Sequence, residues 1–259
     1  MKLARPVCHK IRAQTGFVQD IDPWSTDMKR RHFLGSSLAA TIALLGAAPR
    51  GTAAEAASPV KPLPRRGRVK VAFMLGDGAN VIDTAGPWEV FQDVMLHDGE
   101  HHYPFELYTV APTEYLIKMT AGLMVKPHYS IANAPQPNVI VVPAQKSTAE
   151  SREWLRTASA GTDVTMSVCT GAFQLARVGL LKGLPATTHH DYWDSFHEEF
   201  PDIELRRGPR FVDNGHIATS GGLTSGIDLA LHIVARYYGN DVAAAAATYM
   251  EHASDAWKA

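Results

Sequence analysis

Cysteine is scarce in this chain: of 259 residues only Cys8 and Cys169 carry a thiol. Two cysteines cannot build the disulfide framework of a small secreted scaffold. An excess of charge of one sign is missing too. Twenty-five Lys and Arg against 26 Asp and Glu leave a formal net charge of −1. No basic stripe follows the N-terminal region, so a nucleic-acid partner is not expected. The apolar run Ser36 to Ala48 is shorter than the ~20 residues that span a bilayer. No internal repeat is present. With 46% hydrophobic and 20% charged residues, the remainder reads as ordinary globular protein, neither disordered nor membrane-embedded.

The N-terminal region reads as an address. Lys29-Arg30-Arg31-His32-Phe33-Leu34-Gly35 resembles a twin-arginine export motif. The weakly apolar Ser36 to Ala48 follows, and Ala54-Glu55-Ala56 supplies an A-x-A cleavage pattern. An amphipathic helix with a basic start is the alternative, but the three features stand in the order a signal needs. Met28 lies directly before the basic residues and is read as the true start. Residues 1–27 are then a mis-assigned extension and 28–56 the signal. Residues 57–68, rich in proline and basic residues, read as a linker, and 69–259 as one domain. The expected location is the periplasm or outside the cell, with no stable membrane anchor once the signal is removed. The mature chain would keep a single thiol, Cys169.

From Val69 onward, strand-length apolar runs alternate with helical patterns. Val69 to Leu75, Phe105 to Val110, Val139 to Val142 and Val164 to Val168 read as strands, several of them buried on both faces. Helices are expected from Pro87, placed in a first turn, to about Leu96, and over Ser151 to Ala160. Further helices are expected over Thr170 to Leu181, Asp191 to Phe200 and Thr224 to Tyr238, the last stopped by Gly239. The alanine run Ala243 to Ala247 reads as a terminal helix. Ile203 to Arg207 and Phe211 to Val212 suggest a short antiparallel pair, and the turn Asp213-Asn214-Gly215 leads into His216 to Thr219. This alternation implies an α/β fold with a mainly parallel sheet covered on both sides.

Cys169 stands in Ser167-Val168-Cys169-Thr170-Gly171, where a strand runs straight into a helix. Small residues two before and two after fit a nucleophile elbow. A helix N-terminus favours thiolate, and the Thr170 N–H could stabilise a developing anion. A buried, inert core cysteine is the competing reading. Asp83 follows the first strand and precedes a helix. It is either a helix N-cap or a carboxylate at the carboxyl edge of the sheet, where α/β sites form. His189 is either a proton partner for the cysteine or a structural histidine. The group His97, His101 and His102 reads as solvated surface, and no metal site is expected.

With these residues in hand, the sequence resembles the ThiJ/PfpI superfamily, the class I glutamine-amidotransferase-like fold. Within it, the chain is most similar to the isonitrile hydratase branch and to the amino-terminal domains of AraC-type regulators. Asn80 to Phe91, Ser167 to His189 and Thr219 to Tyr238 carry the resemblance. It implies a flavodoxin-like three-layer sandwich, often homodimeric. It implies Cys169 as nucleophile, Asp83 beside it as general acid, Thr170 in the anion site, and His189 and Gly171 nearby. The implied reaction adds water to an isonitrile and releases an N-substituted formamide, without metal or organic cofactor. Relatives often carry Gly-Gly after the proline that ends the third strand. Here Pro143 is followed by Ala144-Gln145, a loop less free to bring its backbone close, and the Gln145 side chain could donate instead.

Four functions remain to be compared. The first is a small-molecule enzyme of the isonitrile hydratase type. The second is a ligand-binding or redox-sensing protein without turnover, for which a low-pKa, accessible thiol also serves. A transcription regulator is not expected, because about 20 residues after Gly239 are too few for a helix-turn-helix module. Amidotransfer would need a synthetase partner, and peptidase action would lean on His189. Trp88, Tyr192 and Trp193 are candidates to line the pocket, with core packing as their plainer role.

Overall fold

A computed structural model of the chain describes residues 62–64, 67–97 and 101–258. The expected extension 1–27, the export signal 28–56 and most of the linker lie outside the described residues. Within the linker, Leu63 donates its amide to Arg236 O at 2.9 Å, so this residue lies on the domain rather than apart from it. No helix of the described residues is long and apolar enough to cross a membrane.

Seven strands form the central sheet: β1 (Val69–Met74), β2 (Phe105–Ala111), β3 (Tyr129–Ser130), β4 (Val139–Val142), β5 (Val164–Ser167), β6 (Phe211–Asp213) and β7 (Ile217–Ser220). Their order is β6-β7-β5-β4-β1-β2-β3. All neighbours are parallel except β6 and β7. Val71 of β1 faces Leu107 on one side and Val139 on the other.

Alternate residues of each strand point to opposite faces, so a continuous apolar run feeds two cores. Val69, Val71, Phe73, Val139 and Val141 pack under α1 (Val81–Gln92), α5 (Ser225–Tyr238) and α6 (Asn240–Tyr249). Ala72, Met74, Ile140 and Val142 pack under α2 (Ala149–Ser159), α3 (Gly171–Arg177) and α4 (Trp193–Glu199). Each Val or Ile fully removed from water contributes about 1.5–3 kcal/mol. The mainly parallel, flavodoxin-like three-layer sandwich expected from the sequence is the fold observed.

Four local expectations differ. Helix α1 begins at Val81, six residues before Pro87. The Asn80 side chain accepts the amides of Ile82 (3.1 Å) and Asp83 (3.4 Å) and so caps the helix. Pro87 lies inside α1, where it lacks the N–H that would reach the Asp83 carbonyl. Helix α3 stops at Arg177 instead of Leu181. Gly179 adopts φ +79°, and the bonds Gly179 N–H to Ala176 O (2.9 Å) and Leu180 N–H to Leu175 O (3.0 Å) close a Schellman turn.

The expected pairing of Ile203 to Arg207 with Phe211 to Val212 does not form, because each segment takes another partner. Glu204–Leu205 runs parallel to Pro185–Ala186 instead. Phe211 pairs with Ser220 across the turn at Asp213-Asn214-Gly215, which Asn214 N–H to Ile217 O closes at 2.9 Å. Finally, the segment of His97, His101 and His102, whose sequence reads as a polar surface loop, forms two short antiparallel strands, Leu96–His97 and His101–His102.

Candidate active site

Four neighbouring strands, β7, β5, β4 and β1, deliver their carboxyl ends to one place, as open α/β sheets do at a site. After β1 comes α1 with Asp83, and after β4 comes Pro143-Ala144. Cys169 follows β5, and Gly221-Gly222-Leu223 follows β7.

Cys169 sits in the left-handed region at φ 58°, a conformation that strains a residue with a Cβ by about 1–3 kcal/mol. The elbow is held from both sides. The Cys169 amide donates to Gly221 O at 2.9 Å, and Thr188 Oγ1 donates to Cys169 O at 2.9 Å. Gly171 permits the sharp approach of α3 to β4, since a Cβ there would lie 2.1 Å from Val142 O. The small residue after the nucleophile is therefore a steric requirement.

Asp83 is fully buried in the first turn of α1. It is not the N-cap, a role that falls to Asn80. Its Oδ2 accepts the Ala144 amide at 3.1 Å. The Leu223 N–H and the Cys169 thiol also lie close enough to favour its ionised form. Oδ1 has no hydrogen bond of ordinary geometry. Burial outweighs these contacts and pushes the carboxyl up to about 6.

The expectation of a lowered thiol pKa is not met. Burial, and next the negative charge of Asp83, push Cys169 up to about 11, against partial relief from the Thr170 backbone and side chain and the Leu223 amide. Helix α3, only seven residues long, does not overcome this. At neutral pH the resting pair is therefore an ionised carboxyl beside a neutral thiol.

The other expected site residues divide. Thr170, next in sequence, favours a charged sulfur through both its backbone and its side chain. Ala144 lends its amide to Asp83 rather than to the sulfur. Gln145 does not act as the expected donor: its Oε1 accepts the Gly76 amide and its Nε2 donates to Met74 O at 2.8 Å. It pins the end of β1. His189 packs on Gly222, where a Cβ would lie 2.0 Å from its Cδ2, and its Nδ1 accepts the Asp191 amide at 3.2 Å. Trp88 packs on Phe73, with ring centroids 4.9 Å apart, and Trp193 donates its indole N–H to Thr188 O at 3.0 Å. Tyr192 stays exposed.

Leu223 was not anticipated. It too is left-handed, at φ 54°, and this conformation accompanies an amide that reaches both Asp83 and Cys169. The Gly-Gly pair before it was the available signal. Donor atoms of His189, His190 and Asp191 lie within 4.8 Å of one another. The two imidazoles are stacked at 4.4 Å and 23°, so their in-plane lone pairs run side by side and do not meet on one ion. This trio is a poor metal centre.

The family model described as DJ-1/PfpI matches residues 69–236. An isonitrile hydratase of Pseudomonas putida is 29% identical over 192 residues, covering 71% of this chain and 79% of that protein. The HTH-type transcriptional regulator GbdR of Pseudomonas aeruginosa is 26% identical over 193 residues, covering 73% of this chain. The alignment spans about half of that regulator, 52%. Among solved structures, a ThiJ/PfpI family protein from Pseudomonas syringae superposes with a TM-score of 0.64 at 25% identity, covering 81% of this chain and 83% of that one. Drosophila melanogaster DJ-1beta, at 16% identity and a TM-score of 0.62, shares the fold over 72% of this chain and 100% of its own.

Proposed function

The chain belongs to the DJ-1/PfpI family, and from that premise we propose that it is a cysteine-dependent enzyme of the isonitrile hydratase type. The observation that carries this reading is the buried pair of Cys169 and Asp83, with the Thr170 and Leu223 amides turned onto the sulfur. Asp83 takes the thiol proton as the sulfur bonds to the terminal carbon of an isonitrile. It then gives that proton to the same carbon, leaving a thioimidate, S–CH=N–R. Water adds to this carbon, nitrogen gains a proton, the C–S bond breaks and the thiol is restored. The net change is one isonitrile plus one water to one N-substituted formamide. An Asp83 poised near 6 suits a group that both accepts and returns a proton at neutral pH.

Exposed apolar side chains support a substrate with an apolar substituent. Ile82 (37% exposed) precedes Asp83 in sequence, Leu223 (41%) carries the amide that favours the ionised pair, and Tyr192 (47%) meets His189 edge-on at 5.9 Å. The leader pattern of residues 28–56 supports export to the periplasm, which cell fractionation tests. A homodimer is part of the same reading, and sedimentation tests it. The deciding experiment incubates the mature protein with cyclohexyl isonitrile and measures the formamide by mass spectrometry. Formation that disappears in Cys169→Ala supports hydration.

One observation favours a second reading, a ligand-binding protein without turnover: the thiol is held neutral, up to about 11. Absence of formamide, with ligand still protecting Cys169 from alkylation, would select it.

A further inference from the structure

The turn from Gly221 to Thr224 carries the Leu223 amide, and a charged cluster fastens that turn to the rest of the fold. One residue holds it at both ends. The Arg210 carbonyl accepts the Gly221 amide at 2.9 Å, while Gly221 O accepts the Cys169 amide at 2.9 Å. The Arg210 guanidinium donates to Thr224 Oγ1 at 3.2 Å and makes a close ion pair with Asp228 Oδ2, in the first turn of α5. Asp228 is fully buried, and its Oδ1 pairs with His252 Nε2 at 3.0 Å. A buried carboxylate persists only when its oxygens are met in this way.

We propose that Arg210 is a positioning residue for the nucleophile, holding the Gly221–Thr224 turn so that the Leu223 amide stays on Cys169 and Asp83. Leu223 is left-handed, a conformation that needs support from its surroundings. Arg210 supplies it from two directions, through the carbonyl on Gly221 and the forked guanidinium on Thr224 and Asp228. A lysine cannot reproduce the fork. The same helix offers an internal comparison. Further along α5, His232 Nε2 and Arg236 Nη1 meet the buried Asp213 Oδ2 at 3.0 and 3.2 Å, with no bond to the Gly221–Thr224 turn. That second cluster serves stability alone.

The inference rests on Cys169 as the reacting thiol and not on the identity of the substrate. Its test is iodoacetamide alkylation of Cys169, followed by peptide mass spectrometry from pH 6 to 12, beside thermal midpoints. The variants are Arg210→Lys, the double variant Arg210→Met with Asp228→Asn, and Asp213→Asn. The double variant leaves no bare buried charge. Loss of the Leu223 contact should shift the profile of the double variant upward, seen as alkylation up to about tenfold slower at each pH below the wild-type midpoint. Arg210→Lys should move it less, in the same direction. Asp213→Asn should lower the thermal midpoint and leave the profile in place. Folded Arg210 variants whose profiles superimpose on wild type overturn the proposal. If the double variant does not fold, the profile of Arg210→Lys decides alone, in either direction. A wild-type Cys169 that stays unreactive in the folded chain overturns the nucleophile reading itself, and this inference with it.

Discussion

Gly222 and His189 lie so close that a methyl group on Gly222 would stand 2.0 Å from Cδ2 and 2.8 Å from Nε2 of the imidazole. His189 thus acts on the site through the turn that carries Leu223. Gly222→Ala should force either the ring or the turn to move, at a cost of about 1–3 kcal/mol. Chemical denaturation would read the loss, and Cys169 alkylation should slow as well. Adding His189→Ala removes the obstacle and should recover most of both. If the double variant recovers nothing, the contact is not the cause.

His189→Ala alone tests a separate point. The Nδ1 of His189 is taken up by the Asp191 amide, and Asp83 is the group on the thiol. Isonitrile hydration should therefore slow without vanishing. Its complete loss in a folded variant would move the proton-transfer role from Asp83 to His189.

Asp83 has two opposed effects on Cys169, and Asp83→Asn should separate them. Its charge is the second largest cause of the raised thiol, so its removal should lower the thiol pKa and speed alkylation at pH 8. Its proton-transfer role should be lost, with hydration down by about 10²–10⁴. Faster alkylation together with slower turnover is the signature. If both rates fall together, Asp83 acts mainly by shaping the pocket.

The same carboxyl makes stability depend on pH. Its ordinary value is 3.8 and burial raises it to about 6. Between these values the folded chain keeps a proton that the unfolded chain has released. The contribution of Asp83 to stability is thus fully present below about pH 4 and is lost as pH rises through about 6. At about 1.4 kcal/mol per pH unit, the loss is ~3 kcal/mol by pH 8. Asp83→Asn should be the more stable protein at pH 8, and its advantage should shrink toward pH 4. An advantage that is constant with pH would place the cause elsewhere.

The sheet and the elbow were legible because their signals are local. Val71 to Met74 and Val139 to Val142 are continuous apolar runs, and Gly171, two residues after Cys169, marks a close approach. Pro87 misled because proline favours a first turn, whereas the Asn80 cap had already started the helix and drawn Asp83 inside it. The pairing of Pro185–Ala186 with Glu204–Leu205 joins two-residue strands on either side of α4 and has no periodicity to read. Burial of the thiol is a property of the assembled layers, so the local motif suggested the wrong direction for its pKa. Leu223 was hidden for another reason: its backbone does the chemistry, and a side-chain pattern does not record that.

Substrate choice can be tested at the same residue. The Leu223 side chain is exposed while its amide faces the site, so the two can be changed separately. Leu223→Gly keeps the amide and suits the left-handed backbone better, by about 1 kcal/mol, but removes the apolar side chain. Tyr192→Ala removes the exposed ring beside His189. In wild type, cyclohexyl isonitrile should outperform methyl isonitrile in kcat/KM. Each variant should cut that preference by about tenfold, the scale of one or two lost apolar contacts, acting mainly through KM for the larger substrate. Leu223→Gly should do so with its thermal midpoint unchanged or raised, which separates lost recognition from lost folding. If the preference survives both changes, the substituent is bound elsewhere, and Ile82 with the neighbouring face of α1 is the place to look next.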